Sequence, residues 1–359
     1  MNISKSAYFK RQTTLPEIGE EGQKQLQKAK VLVIGCGGLG SPIAIYLATS
    51  GVGELHLVDF DTVSISNLHR QVFYKTNDVG KSKAAVLASE IQQKAPFTNV
   101  TFLAEAVSKN NVLELVSKYD VVVDGTDSLP IKYLINDACV LLKKPLVYGS
   151  LYKFDGYVAT FNKQLDDGTF SCNLRDAFPK IATDVPNCEE AGTMNPIVGL
   201  IALLQVNEVL KLITNTGQLL INQLLIYNAL DNSQFKMKLR KNETIVIEEI
   251  FNNSNYTEVF CETQEPSLLI SNLEFKKKIT SENIEIISVL NHTDIPIPFK
   301  VHQKIPYKTF NIEAFTPNFN KCYVVVCKKG ISSYDITLKL KEKFPSLQVL
   351  SLAEGIEKY

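Results

Sequence analysis

A chain of 359 residues, 45% of them hydrophobic and 21% charged, has enough apolar material for two packed domains. Its 38 basic residues balance 38 acidic ones, which excludes a broad electrostatic footprint for nucleic acid. No apolar stretch approaches the roughly 20 residues of a membrane span, and the polar amino terminus lacks a signal-peptide core, so neither membrane nor nucleic acid is expected as a partner. The 7 cysteines (Cys36, Cys139, Cys172, Cys188, Cys261, Cys322 and Cys327) form no C-x-x-C pair. That pattern argues against a disulfide scaffold and fits a reducing cytoplasm.

The first element is a strand over 31–34, a continuous Val-Leu-Val-Ile run of the kind buried on both faces. A glycine turn, Gly35 to Gly40, leads into Ser41-Pro42, a helix start, and an apolar-periodic helix that stops at Gly51. The second strand follows over 54–60. The alternation continues with a helix over 81–94, a strand over 100–104, a helix over 107–118, a strand over 120–124, a helix over 129–142 and a strand over 145–149. Strands over 157–161 and 224–229 flank a polar stretch, 162–186, and a long apolar helix, 196–213. The polar stretch is too long for a simple connection, as functional or mobile loops are. This order predicts an α/β fold over 1–250, a doubly wound Rossmann-like sheet, mostly parallel. Residues 251–266, rich in Asn, Thr and Glu, read as a linker. Residues 267–359, with strand-like runs at 284–289 and 323–326 and a helix at 333–344, read as a small second α/β domain.

Gly35-Cys36-Gly37-Gly38-Leu39-Gly40 satisfies G-x-G-x-x-G between strand and helix, where small residues let the backbone approach a phosphate at a helix N-terminus. Asp59 ends the second strand, where an acid accepts protons from ribose hydroxyls. The loop alone fits NAD and ATP equally. The next segment separates them: Asp61, Asn67 and Arg70 follow Asp59 closely, and Lys83 opens the next helix. A triphosphate needs such cations on its outer phosphates, whereas a nicotinamide needs an apolar face. Asp127 follows the strand at 120–124, at a carboxyl end suited to holding Mg²⁺ against phosphates; helix capping is its competing role. Asp124 reads as a structural or capping acid.

Together, Arg11-Gln12, the run from Val31 to Gln71, Val79-Gly80-Lys81-Ser82-Lys83, the Asp124-Gly-Thr-Asp127 turn and Cys188-Glu-Glu-Ala-Gly192-Thr-Met-Asn-Pro196-Ile-Val-Gly199 resemble the ThiF/MoeB family, relatives of ubiquitin-activating enzymes, over about residues 8–242. The resemblance implies ATP on Gly35, Gly37, Gly38 and Gly40, with Asp59 on the ribose and Asp61 close by. Asn67, Arg70 and Lys83 would meet the phosphates, and Asp127 would hold Mg²⁺. It implies that Arg11 serves a neighbouring subunit's active site in a homodimer. The implied reaction is adenylation of the terminal glycine carboxylate of a ubiquitin-like sulfur-carrier protein, for thiamine or molybdopterin synthesis. Cys188 matches a family cysteine that takes the activated carrier; its bland alternative, a buried apolar thiol, suits its polar surroundings poorly.

Three departures stand out. Family members hold zinc with two C-x-x-C pairs, but here Cys172 is followed by Arg175 in the partner position, and no zinc site is expected. Ser128 replaces the Asn that usually follows the magnesium Asp. The segment Val324-Val-Val-Cys327-Lys-Lys-Gly330-Ile-Ser-Ser333, with the closing Leu352-Ala-Glu-Gly355-Ile356, resembles a rhodanese loop in which Cys327 would carry persulfide delivered by a donor protein. Ser332 replaces the arginine of that loop, and a buried structural cysteine is the alternative. Two other readings compete with the whole: an NAD-dependent oxidoreductase on the same glycine loop, and a non-enzymatic adaptor for the carrier.

Overall fold

In the computed structural model, described for residues 4–359 apart from 182–191, 255, 257–264, 280–282, 291–295, 329 and 357–358, the chain divides into two units, Met1–Tyr256 and Thr257–Tyr359. The first holds an eight-stranded sheet in the order β3-β2-β1-β4-β5-β6-β7-β8. Its strands are β1 (Lys30–Ile34), β2 (Glu54–Val58), β3 (Asn99–Leu103), β4 (Val121–Asp124), β5 (Leu146–Tyr152), β6 (Asp155–Phe161), β7 (Gln223–Asn228) and β8 (Gln234–Lys238). Strands β3 to β5 of that order pair in parallel, and β5 through β8 are antiparallel. This is the expected doubly wound, mostly parallel α/β sheet. The chain leaves β1 toward β2 and β3, then returns to β4 on the other side. The loops after β1 and β4 therefore diverge around one crevice, the switch point where such sheets bind ligands.

Two apolar layers sandwich the sheet. One gathers Val31, Val33, Leu55, Leu57 and the helices Gly40–Thr49 and Asn195–Thr214; the other gathers Leu32, Ile34, Val122, Leu146 and the helix Leu129–Leu141. Alternate residues of β1 thus feed opposite layers, as a strand buried on both faces requires. Asn195–Thr214 corrects the expectation that no apolar stretch nears membrane-spanning length: its 20 residues have a mean hydropathy of 1.7 over an 18-residue window, half of it buried. The helix packs against β5 and β6. Two of its buried polar side chains find protein partners: Gln205 Nε2 donates to the Asp124 carbonyl at 2.8 Å, and Glu208 Oε2 accepts from Thr160 Oγ1 at 2.6 Å. Core placement explains its apolarity.

Local hydrogen bonds trim two expected helices. Lys83–Lys94 starts after Ser82, whose Oγ accepts from Ala85 N. Val112–Ser117 starts late because the Asn111 side chain accepts from Ser108 N at 2.8 Å and donates to Ala106 O at 2.9 Å, closing a turn instead. At the other end of the domain the chain stays folded beyond 250: Ile247–Asn253 is helical, and Phe251 and Tyr256 are buried with ring centroids 5.8 Å apart. The unit boundary falls after Tyr256, inside the stretch whose composition reads as linker.

The second unit is a five-stranded parallel sheet, order β11-β10-β12-β13-β9. Its strands are β9 (Leu269–Ile270), β10 (Ile284–Ser288), β11 (Gln303–Lys304), β12 (Cys322–Val326) and β13 (Gln348–Leu352). Cys327 leaves the central strand, and the helix Ile331–Lys343 follows. This is the small α/β domain that the rhodanese resemblance implies.

Candidate active site

The glycine loop is built by backbone crossing backbone. A Cβ on Gly40 would lie 1.7 Å from the Gly35 carbonyl oxygen, and one on Gly35 would lie 2.7 Å from the Gly125 carbonyl carbon. Gly35 also has φ +88°, a conformation that side chains disfavour. The turns after β1 and β4 are thereby pressed together, and the Gly40–Thr49 helix begins at the crossing, where Ser41 N donates to Gly37 O at 3.0 Å and Ile43 N to Leu39 O at 3.2 Å. A Cβ on Gly38 would meet Val198 at 2.7 Å and Arg70 O at 3.6 Å, so Arg70 and the Asn195–Thr214 helix border the loop.

Asp59, just past β2, is buried against this loop. Its Oδ2 accepts from Cys36 N at 2.6 Å and its Oδ1 from Asp61 N at 2.8 Å. Burial raises its pKa, while those two N–H groups and the Lys83 charge pull it back. Each oxygen retains a lone pair for a further donor. Lys83 is buried at the start of its helix, with Nζ 2.9 Å from Asp61 Oδ2. Asp61 thus acts by holding the ammonium, which keeps other N–H groups for an anion. Arg70 donates to Ser66 O at 3.2 Å and lies 3.0 Å from His69 Nε2. Asn67 closes the short turn Ile65–Asn67, and its carbonyl accepts from Arg70 N and Gln71 N.

Asp124 and Asp127 have separate tasks. Asp124 is fully buried, accepts from Thr126 N and Oγ1, and pairs with Lys132 Nζ at 3.0 Å; Lys132 also donates to Gly149 O at 2.7 Å. It is the structural acid, tying the β4 turn to β5. Asp127 is exposed and has no hydrogen-bond or ion-pair partner among the described residues. Ser128, at the cap of Leu129–Leu141, makes no side-chain cap bond, and Asp127 does not replace it. Capping therefore does not account for Asp127.

Several contributors escaped the sequence reading. Tyr74 OH donates to Cys36 O at 2.6 Å and to Lys83 O at 3.3 Å, clamping the loop to the lysine helix. Gln71 is 4% exposed, with Oε1 buried and no partner among the described residues; Ser128 Oγ is in the same state. An aromatic after the Arg-Gln pair was the available signal for Tyr74. Cys36 is buried in the loop, and burial with the neighbouring Asp59 charge raises its pKa well above the usual range, which keeps it a neutral thiol. Arg11 is exposed on the helix Lys10–Thr13 with no partner among the described residues, while Gln12 is anchored to Gln23 Oε1 at 2.7 Å and to Ser50 O at 2.9 Å. Cys188 lies outside the described residues. In the second unit, Cys327 is 5% exposed, with Sγ 3.2 Å from Ser333 Oγ, which in turn is 2.9 Å from Ser351 Oγ.

The residues present fit a nucleotide. The glycine cradle would be filled by any Cβ, a buried acid closes one side, two cations border it, and the amide oxygen of Gln71 is buried without a partner among the described residues. The sequence profile of the ThiF family matches residues 9–246. The chain belongs to the ThiF family.

It is 42% identical over 236 residues to the sulfur carrier protein adenylyltransferase of Thermus thermophilus, a match spanning 65% of this chain and 87% of that protein. It is 41% identical to the probable adenylyltransferase/sulfurtransferase MoeZ of Mycobacterium tuberculosis and 39% to the adenylyltransferase and sulfurtransferase MOCS3 of Caenorhabditis briggsae, each match spanning 60% of the relative. The fold resembles that of Escherichia coli MccB solved with MccA-N7isoASN, with a TM-score of 0.60 at 21% identity, over 68% of this chain and 75% of that one. The chain is accordingly an enzyme, an adenylyltransferase. The family match ends at residue 246, so the second unit lies beyond it.

One prediction tests the crossing. Gly40→Ala should weaken ATP binding at least about 100-fold by calorimetry, near 2.7 kcal/mol, because the methyl must push the loop off the Gly35 carbonyl. An unchanged affinity would show that the nucleotide binds elsewhere.

Proposed function

We propose that the chain uses MgATP to adenylate the C-terminal glycine carboxylate of a ubiquitin-like sulfur-carrier protein, in the cytoplasm, for thiamine or molybdopterin synthesis. The observation that carries this reading is the glycine crossing bordered by two cations, Arg70 and Lys83, with Asp127 left unpaired among the described residues at the neighbouring strand end. A dinucleotide enzyme has no use for that charge; a triphosphate does.

The protein does little covalent work here. Asp59 accepts the ribose hydroxyls and fixes the sugar. Arg70 and Lys83, with Asn67, hold the phosphates, and Lys83 is kept in place by Asp61. Asp127 would hold magnesium, which when bound neutralises phosphate oxygens. A carrier carboxylate oxygen attacks the α-phosphorus, a new P–O bond forms, the bridging P–O bond breaks, and pyrophosphate leaves. The rate gain comes from positioning and charge neutralisation. Arg11, exposed in the single chain, would reach a partner's site in a homodimer. Cys327, at the end of the central strand of the second unit, would receive sulfur as persulfide from a donor protein, and Cys188 would meet the activated carrier.

Three measurements test these assignments. Asp127→Ala should lower ATP–pyrophosphate exchange at least about 100-fold without unfolding the protein; exchange near the parent rate would end the magnesium assignment. Arg11→Ala and Asp127→Ala chains, each inactive alone, should recover part of the activity when mixed under conditions of proven subunit exchange. Continued inactivity would place Arg11 in cis or outside catalysis. Cys327→Ser should keep pyrophosphate exchange but yield no carrier thiocarboxylate by mass spectrometry after incubation with ATP and a persulfide donor. Full thiocarboxylate yield would mean that sulfur arrives from another protein.

A further inference from the structure

The structural zinc that the family resemblance implies does not fit the residues present. Cys172 is the only thiol left of the first pair, and no cysteine occurs between Cys188 and Cys261. Among the described residues, no group of three or more His, Cys, Asp or Glu side chains is placed to hold a metal ion. Cys172 is instead fixed through its backbone: its N–H donates to Asn222 Oδ1 at 2.8 Å, and its carbonyl accepts from Asn162 N at 3.0 Å.

Arg175, in the position of the missing ligand, makes a buried two-pronged ion pair. It is 5% exposed and grips Asp137, which is 0% exposed, through Nε at 2.8 and 3.0 Å and Nη2 at 2.7 Å. The same carboxylate accepts from Tyr256 OH at 2.5 Å and from Asn136 Nδ2 at 2.9 Å. The guanidinium lies 4.8 Å from the centroid of the Tyr133 ring. One residue on, Asp176 closes a capping box with Asn173 and accepts from Asn242 N at 2.8 Å, while Lys241 Nζ donates to Phe170 O at 3.2 Å. Segments around 137, 170–176, 241–242 and 256 are thereby gathered at one place. Joining distant segments of chain is what a structural metal does.

Burying two charges is costly, and such a pair repays it only when the remaining lone pairs and protons are also bonded. Here the carboxylate takes donors from Arg175, Tyr256 and Asn136, and the planar guanidinium supplies the fork that a lysine lacks. We propose that the Arg175–Asp137–Tyr256 network is a metal-free staple that takes over the role of the family's zinc. The adenylation domain of this chain would then fold and work without that metal. The proposal is independent of which carrier protein the enzyme serves.

The test uses the full chain expressed in zinc-supplemented medium. Elemental analysis should find well under one zinc per chain, and thermal unfolding should give the same Tm with and without a strong chelator. Asp137→Asn and Arg175→Met should each lower the folded-to-unfolded ratio by about a thousandfold, whereas Arg175→Met combined with Asp137→Leu should recover much of the loss, since no lone charge stays buried. If the single variants do not accumulate, Tyr256→Phe removes one hydrogen bond to a charge and should lower the ratio about tenfold, with pyrophosphate exchange by the folded protein unchanged. Stoichiometric zinc whose removal lowers Tm overturns the proposal. So does a Tyr256→Phe protein as stable as the parent.

Discussion

The active site depends on one steric constraint, the crossing of two turns whose backbones come too close for a Cβ between them. Gly35, Gly40 and Gly125 leave no room for a Cβ where the turn after β1 lies on the turn after β4. Because the strands diverge at this point of the sheet, the crossing sets the floor of the crevice, the start of the Gly40–Thr49 helix and the direction in which the Asp127 loop leaves. Charge is arranged around that floor rather than within it. Asp59 is held by the loop's own N–H group, Lys83 by Asp61, and Asp124 is consumed by Lys132, so that of Asp124, which ends β4, and Asp127, which follows it, only Asp127 is left unbonded among the described residues.

The sequence spoke clearly where the backbone had no alternative. The glycine fingerprint, the apolar runs of β1 and β4 and the strand–helix alternation follow from sterics and burial, and the structure has them within a few residues of the expected bounds. What was hidden depends on contacts distant in sequence. Nothing near Lys132 reveals that its ammonium is buried between Asp124 and the Gly149 carbonyl, and nothing near Tyr74 announces its bond to Cys36. The stretch after 250 misleads for the same reason. Its Asn-rich composition reads as linker, yet two aromatic residues within it are core. In the Asn195–Thr214 helix, apolarity speaks of depth in the protein, and only the bonds of Gln205 and Glu208 make that plain.

The second unit shows a different economy. Its loop after β12 is closed by a pair of glycines: Gly355, at φ +68°, lies so near the loop that a Cβ would sit 2.4 Å from the Lys328 carbonyl oxygen and 2.5 Å from Gly330 N. That explains why the closing Leu-Ala-Glu-Gly-Ile run accompanies the cysteine loop in the sequence. The buried Ser333 and Ser351 hydroxyls, in line from the Cys327 sulfur, were not foreseen. They put neutral hydrogen-bonding groups beside a thiol for which the loop arginine is missing.

The hydrogen bond from Tyr256 to Asp137 has a practical meaning for anyone dissecting this chain. The family match stops at residue 246, but the folded unit runs ten residues further and ends on a side chain that completes a buried carboxylate's coordination. A fragment cut where the family likeness stops would lose the Phe251 and Tyr256 rings and leave Asp137 one donor short in the interior. Kinship in sequence and completeness of fold set two different borders here, and an expression fragment should respect the second.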